Sequence, residues 1–205
     1  LCDVVKSPRI DAIHSVCDRT VSRDHYHIGV VLTLTNLLEH CEDENERKYL
    51  MTYFLDGFRT TLFRQAQFAE FEHIAHRKMQ KGEPVTKDVL NELWHELNVQ
   101  YYGPDMRVDD EISYEWMRIP HFYTPYYVYQ YSTGYSAAVA FSKKILEEGK
   151  PAVDKYIGNF LCGGCSKNPI ELLKSAGVDM STPKPADDAL NVFEDYLKQF
   201  ETATK

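Results

Sequence analysis

No run of lysines and arginines occurs in this chain of 205 residues, and 31 acidic side chains against 23 basic ones leave a formal charge of −8. A surface built to neutralise phosphates is thereby disfavoured, and no nucleic-acid partner is expected. No apolar run approaches the ~20 residues of a membrane span, and the start lacks a basic segment followed by an apolar one. Neither a membrane anchor nor a signal peptide is therefore expected, and the cytoplasm is the expected location. Cysteine is sparse. Cys2, Cys17, Cys41, Cys162 and Cys165 are odd in number and scattered, which fits reduced thiols better than a disulfide framework. Cys162 and Cys165 have C-x-x-C spacing, yet no second such pair and no βαβ pattern accompany them, so they read as two cysteines beside a glycine turn. Sustained strand-period alternation, internal repeats and low-complexity tracts are missing too, which leaves little room for β architectures or solenoids.

Helix punctuation fills that space. Residues 45–82 carry Leu50, Phe54, Phe58, Leu62, Phe68, Ala69 and Ala75 at mostly helical spacings, with Gly82 at a C-terminal cap position, which predicts one long, nearly buried helix. A second follows Thr86 as N-cap, with Leu90, Leu93, Trp94 and Leu97 on one face and Gly103-Pro104 as its stop. An acidic connector leads to Thr124-Pro125, which reads as N-cap and first helical residue of a helix running to about Glu148 before Gly149. Shorter helices are expected before Gly163-Gly164, from Pro169 to Gly177, and after the Pro183/Pro185 linker. The expected class is all-α.

Residues 116–138, WMRIPHFYTPYYVYQYSTGYSAA, concentrate six tyrosines and one histidine. On a helix from Pro125, Tyr126, Tyr129 and Thr133 share one face, while Tyr127, Tyr131 and Tyr135 repeat every four residues on another. Between and after them the residues are small, which lets a neighbouring backbone approach closely and predicts a central position for this helix. Amphipathic core packing is one reading of such a stripe. The other is an active-site rim, because His121 stands at a proline-bounded bend just before the first face and would join the phenols as a hydrogen-bond donor. Arg118, beside that bend, suits either a peptide carboxylate or an ion pair with Glu115. Glu70 and Glu72, in an apolar helix, call for partners such as Arg59, Arg64 or backbone groups.

The order FRTTLFRQAQFAEFE, then YYGPDMRVDDEISYEWMRIPHFYTPYYVYQYSTGYSAA, then PIELLKSAGVDMSTPKPADDAL closely resembles the C-terminal part of the oligoendopeptidase F family, helical zinc metallopeptidases related to thimet oligopeptidase. The resemblance covers residues 37–205. It implies a helical enzyme with a deep channel that cuts short peptides with a zinc-bound water, the metal held by the two histidines of H-E-x-x-H and a later glutamate. In that scheme His121, Tyr126 and Tyr129 stand at the positions that donate hydrogen bonds to the substrate and the tetrahedral intermediate. Tyr127 and Arg118 join them as substrate-binding candidates, with short peptides as the implied partners.

H-E-x-x-H itself does not occur in these residues. His95-Glu96 is followed by Val99 where the second histidine belongs, and His73 and His76 lack the glutamate. Counting back from residues 37–40 puts Arg23 at the third-ligand position, and arginine cannot ligate zinc. His25 and His27 lie in residues 1–36, a segment of foreign appearance against the family pattern, and read as incidental. The expectation is a chain with no metal ligand set, hence no zinc and no cofactor of its own, although full-length relatives would carry zinc. Oxyanion donors worth about 2.7–4 kcal/mol each fall far short of the ~8–23 kcal/mol that enzymes supply, so the isolated chain is expected to be inactive. The alternative is a non-catalytic helical protein that self-associates as a homo-oligomer through the surface that a missing metal-bearing part would cover, with apolar residues of the long helix such as Phe54, Phe58 and Leu62 exposed there.

Overall fold

The computed structural model describes residues 23–164 and 166–204, with side chains from residue 27 onward. Among them lie eight α-helices and no strand: α1 Arg23–His40, α2 Glu44–Gly57, α3 Arg64–Gln80, α4 Lys87–Tyr102, α5 Tyr129–Glu148, α6 Lys150–Lys155, α7 Pro169–Ser175 and α8 Lys184–Thr204. Among the described residues, no helix is long and apolar enough to cross a membrane.

Local chemistry accounts for most of the boundaries. Asp43 opens α2 by accepting the Glu46 N–H at 2.8 Å, and Thr86 opens α4 by accepting the Val89 N–H. Gly103, at φ 76°, stops α4 in a conformation that a side chain would oppose. The long helix read over 45–82 is interrupted. Between α2 and α3 the backbone widens into a π-helical turn, Phe58–Phe63. Nor is it nearly buried, since Tyr49, Tyr53 and Met79 are exposed. The acidic connector winds into a 3₁₀ helix, Asp110–Arg118, pinned where the Trp116 indole donates to Asn91 Oδ1 at 2.9 Å.

The chain divides into two compact units. One is Arg59–Ser132; the other combines the described part of Leu1–Phe58 with Thr133–Lys205. In the second unit the small residues of α5 do what their size allows: Ala137, Ala138 and Ala140 are buried with Ile28 and Leu32 of α1 and with Phe141, Ile145 and Tyr156. Tyr135 lies among the His27 and Phe58 rings, and burial holds its phenol well above the ordinary value. A Cβ on Gly57 would come within 3.1 Å of the Tyr135 hydroxyl, a tight contact that the phenol would have to yield to by a few tenths of an ångström.

The expected exposed apolar face is not formed by Phe54, Phe58 and Leu62, all of which are buried. For Phe54 and Phe58 the cause is α8, whose Tyr196 meets the Phe54 ring edge-on at 4.8 Å while Phe193 lies 5.5 Å from Phe58. Its amphipathic stripe supplies the cover that the sequence reading looked for elsewhere.

The unit Arg59–Ser132 has an aromatic core. Trp94, fully buried, contacts Phe68 at 5.3 Å, Phe71 at 4.9 Å and Phe122 at 6.2 Å between ring centres. Phe122 belongs to the short 3₁₀ turn Pro120–Tyr123, which also carries His121. The packing of α3 and α4 thus supports the phenol-rich segment from beneath.

Candidate functional site

Pro120 opens the 3₁₀ turn that presents His121, and Thr124 closes it by donating its N–H to the His121 carbonyl at 3.1 Å. Thr124-Pro125 does not start a helix. Tyr126 sits in the left-handed region at φ 54°, which a right-handed helix cannot contain, and α5 begins at Tyr129. The left-handed conformation costs a non-glycine residue about 1–2 kcal/mol. Opposing that cost, the Tyr126 N–H donates to Glu72 Oε1 at 2.6 Å, and the Tyr126 ring lies 4.9 Å from the His76 ring. The Glu72 carboxylate is buried and also stands 3.9 Å from His76 Nε2.

The helical argument that put Tyr126 and Tyr129 on one face therefore does not hold, because Tyr126 precedes the helix. Both remain about half exposed, at 44% and 48%. The other phenol pair does meet. The Tyr127 and Tyr131 hydroxyls are 3.0 Å apart, and the Tyr131 hydroxyl is 3.4 Å from His121 Nε2. The His121 ring stacks on Tyr127 with an 8° interplanar angle and meets Tyr131 edge-on. His121 is thus joined to Tyr127 and Tyr131, whereas Tyr126 is tied to Glu72 and His76.

Charged neighbours complete the surroundings. Glu115 accepts from both Arg64 and Arg118, the latter at 2.6 Å. Arg118 therefore forms the ion pair that was one of its two sequence readings. Glu70 accepts from the Tyr101 hydroxyl at 2.8 Å; burial, then this bond, push that phenol well above its usual value. Tyr131 was legible as half of a four-residue phenol repeat. The partnership of Glu72 with the Tyr126 backbone carried no sequence signal beyond a carboxylate out of place in an apolar helix.

Such an arrangement supplies hydrogen-bond donors and a cation, the groups that hold a peptide backbone and a developing oxyanion. It does not supply a metal centre. Among the described residues no three His, Cys, Asp or Glu side chains converge as metal ligands, so the described residues by themselves do not fit a resident zinc. Arg23 and His25 lie outside the described side chains.

Glu72→Ala is expected to destabilise the chain by about 1–3 kcal/mol, the loss of a charged acceptor from a partly buried N–H. Glu72→Gln, which keeps an acceptor, should recover part of that. Urea titration followed by tryptophan fluorescence measures both.

The sequence profile of Peptidase family M3 matches residues 31–192. Oligopeptidase PepF of Bacillus subtilis is 54% identical over 165 residues, covering 80% of this chain and 24% of that protein. Group B oligopeptidase PepB of Streptococcus agalactiae is 43% identical over 171 residues, 83% of this chain and 28% of PepB. Among solved structures, oligoendopeptidase-F from Enterococcus faecium superposes with a TM-score of 0.87 at 40% identity, over 96% of this chain and 38% of its own. The chain thus spans about a quarter of the length of these curated relatives. The matched span contains the whole His121 to Tyr131 segment and the helices that carry it, and so the chain belongs to peptidase family M3.

Proposed function

We propose that residues 37–205 are the C-terminal, substrate-binding part of an oligoendopeptidase-type catalytic region that acts on short peptides; the family match itself begins six residues earlier, at residue 31. In this reading His121, Tyr126 and Tyr129 donate hydrogen bonds to the bound peptide and to the oxyanion formed when water adds to its carbonyl. Tyr127 and Arg118 line the bound chain. The observation that carries the reading is the left-handed Tyr126, held at φ 54° by Glu72. Strain of this kind persists where the surroundings enforce it, and it concentrates at functional sites. A core phenol has no need of it.

Zinc, where a full family member binds it, activates water and polarises the carbonyl. None of the residues described here substitutes for that, and a polypeptide of these 205 residues alone is proposed to be inert. A cytoplasmic location belongs to the same proposal, supported by the free thiols of Cys41 and Cys162. The self-associating, non-catalytic alternative cannot rest on Phe54, Phe58 and Leu62, which are buried.

Joining a family-type H-E-x-x-H segment ahead of this chain tests the proposal. Cleavage of a quenched-fluorescent peptide should emerge in the joined protein and be abolished by His121→Ala. A folded, zinc-loaded fusion without turnover, or one indifferent to His121→Ala, would count against it.

A further inference from the structure

A cavity of about 780 Å³ lies within the unit Arg59–Ser132, against the 3₁₀ helix Asp110–Arg118. Two features set it apart from an ordinary surface recess. First, its wall contains Arg64, Glu115 and Arg118, two guanidinium groups sharing one carboxylate, so the trio carries one surplus positive charge in a chain of net charge −8. Second, Met106 and Tyr114 line it while staying 54% and 58% exposed, so that apolar contact surface is open to a ligand.

The two arginines play different parts. Arg64 is consumed internally: it pairs with Glu115, donates Nη1 to Gln67 Oε1 at 3.3 Å, and lies over the Phe68 ring at 4.7 Å. Arg118 uses Nη2 on Glu115, and its side chain is 77% exposed. Glu115, itself only 9% exposed and fixed by Arg64, holds Arg118 through Nη2, and most of the Arg118 side chain stays exposed where it lines the cavity. A guanidinium pre-positioned in this way recognises a carboxylate bidentately with little further ordering. Arg59, on the π-helical turn, lines the same cavity, and π turns within helices occur often at functional sites.

We infer that this cavity binds the free C-terminal carboxylate of a short peptide, Arg118 taking the carboxylate and Met106 with Tyr114 contacting an apolar last side chain. The inference deepens the peptide-binding reading above and rests on it. It also combines the two sequence readings of Arg118, since the ion pair with Glu115 is what orients the guanidinium.

The test uses the 205-residue protein and a dye-labelled hexapeptide ending in leucine, made as the free acid and as the C-terminal amide, with binding followed by fluorescence anisotropy. The free acid should bind about tenfold more tightly than the amide, the value of one charge-assisted contact, and added salt should shrink that margin. Arg118→Ala should abolish the difference without unfolding the chain, because Arg64 keeps Glu115 paired; Arg118→Lys should retain a fraction of it. Equal binding of acid and amide would overturn the carboxylate inference and leave peptide binding standing. Binding of neither form would overturn the inference together with the reading beneath it. Displacement of the acid by millimolar inorganic phosphate would show a general anion site and overturn the assignment to a peptide terminus.

Discussion

Tyr129→Phe, in a protein that joins a family-type H-E-x-x-H segment to this chain, is expected to lower kcat about 10²–10³-fold, the effect of removing one oxyanion donor. KM should change little. The separation follows from where the hydroxyl is proposed to act. A donor that bonds the oxyanion more strongly than the ground-state carbonyl contributes to the transition state alone, so its loss falls on kcat. Tyr129 is the first residue of α5 and is 48% exposed, so the phenylalanine ring fits where the tyrosine ring stands and the helix is not disturbed. Tyr123→Phe provides the control, being 84% exposed and outside the proposed donor set; it should leave both constants unchanged. A rise in KM at constant kcat would assign Tyr129 to ground-state binding instead.

Trp94→Ala should destabilise the chain by about 3–5 kcal/mol, the usual range for removing a large buried aromatic. Trp94 is fully buried and touches Phe68, Phe71 and Phe122, which join α3, α4 and the His121 turn in one aromatic core. Alanine would leave a cavity that those rings cannot close without moving. Trp94→Phe retains most of the apolar volume and should cost less than half as much. The shift in urea midpoint, followed by circular dichroism, measures both; a change within experimental error for Trp94→Ala would deny this core its role in supporting the site.

The contrast between these residues and Glu72 shows what a sequence can disclose. Trp94 and its neighbours recur at helical spacing between Thr86 and Gly103, signals that depend on local backbone chemistry, and α4 runs between those two residues. Likewise the small residues after Tyr135 announced a closely packed helix, and α5 is buried from Tyr135 through Ser142. The start of α5 was misplaced because Thr124-Pro125 is a valid helix opening by local rules, and the competing force comes from a residue 54 positions away, the Glu72 carboxylate on the Tyr126 N–H. The π-helical turn at Phe58–Phe63 was not read because the apolar spacing over 45–82 is only mostly helical, so an added residue there does not stand out from the other irregularities. Burial of Phe54 and Phe58 was missed for a related reason. Their cover, Phe193 and Tyr196, lies more than a hundred residues further along, and α8 looked like any amphipathic helix. At the site, His121 and the phenols were recognisable by type, whereas their pairing, His121 with Tyr127 and Tyr131, depended on a bend that the periodicity argument had replaced by a helix.

Metal content and turnover, measured together on the purified 205-residue chain, test most directly the claim that it binds substrate but lacks the catalytic centre. A catalytic zinc site needs three protein ligands and an open position, and no such set converges among the described residues. After dialysis against metal-free buffer the expected result is far less than one zinc per chain, with no cleavage of a quenched-fluorescent peptide above the buffer rate. Close to one zinc per chain, with cleavage that a chelator stops and added zinc restores, would contradict the account.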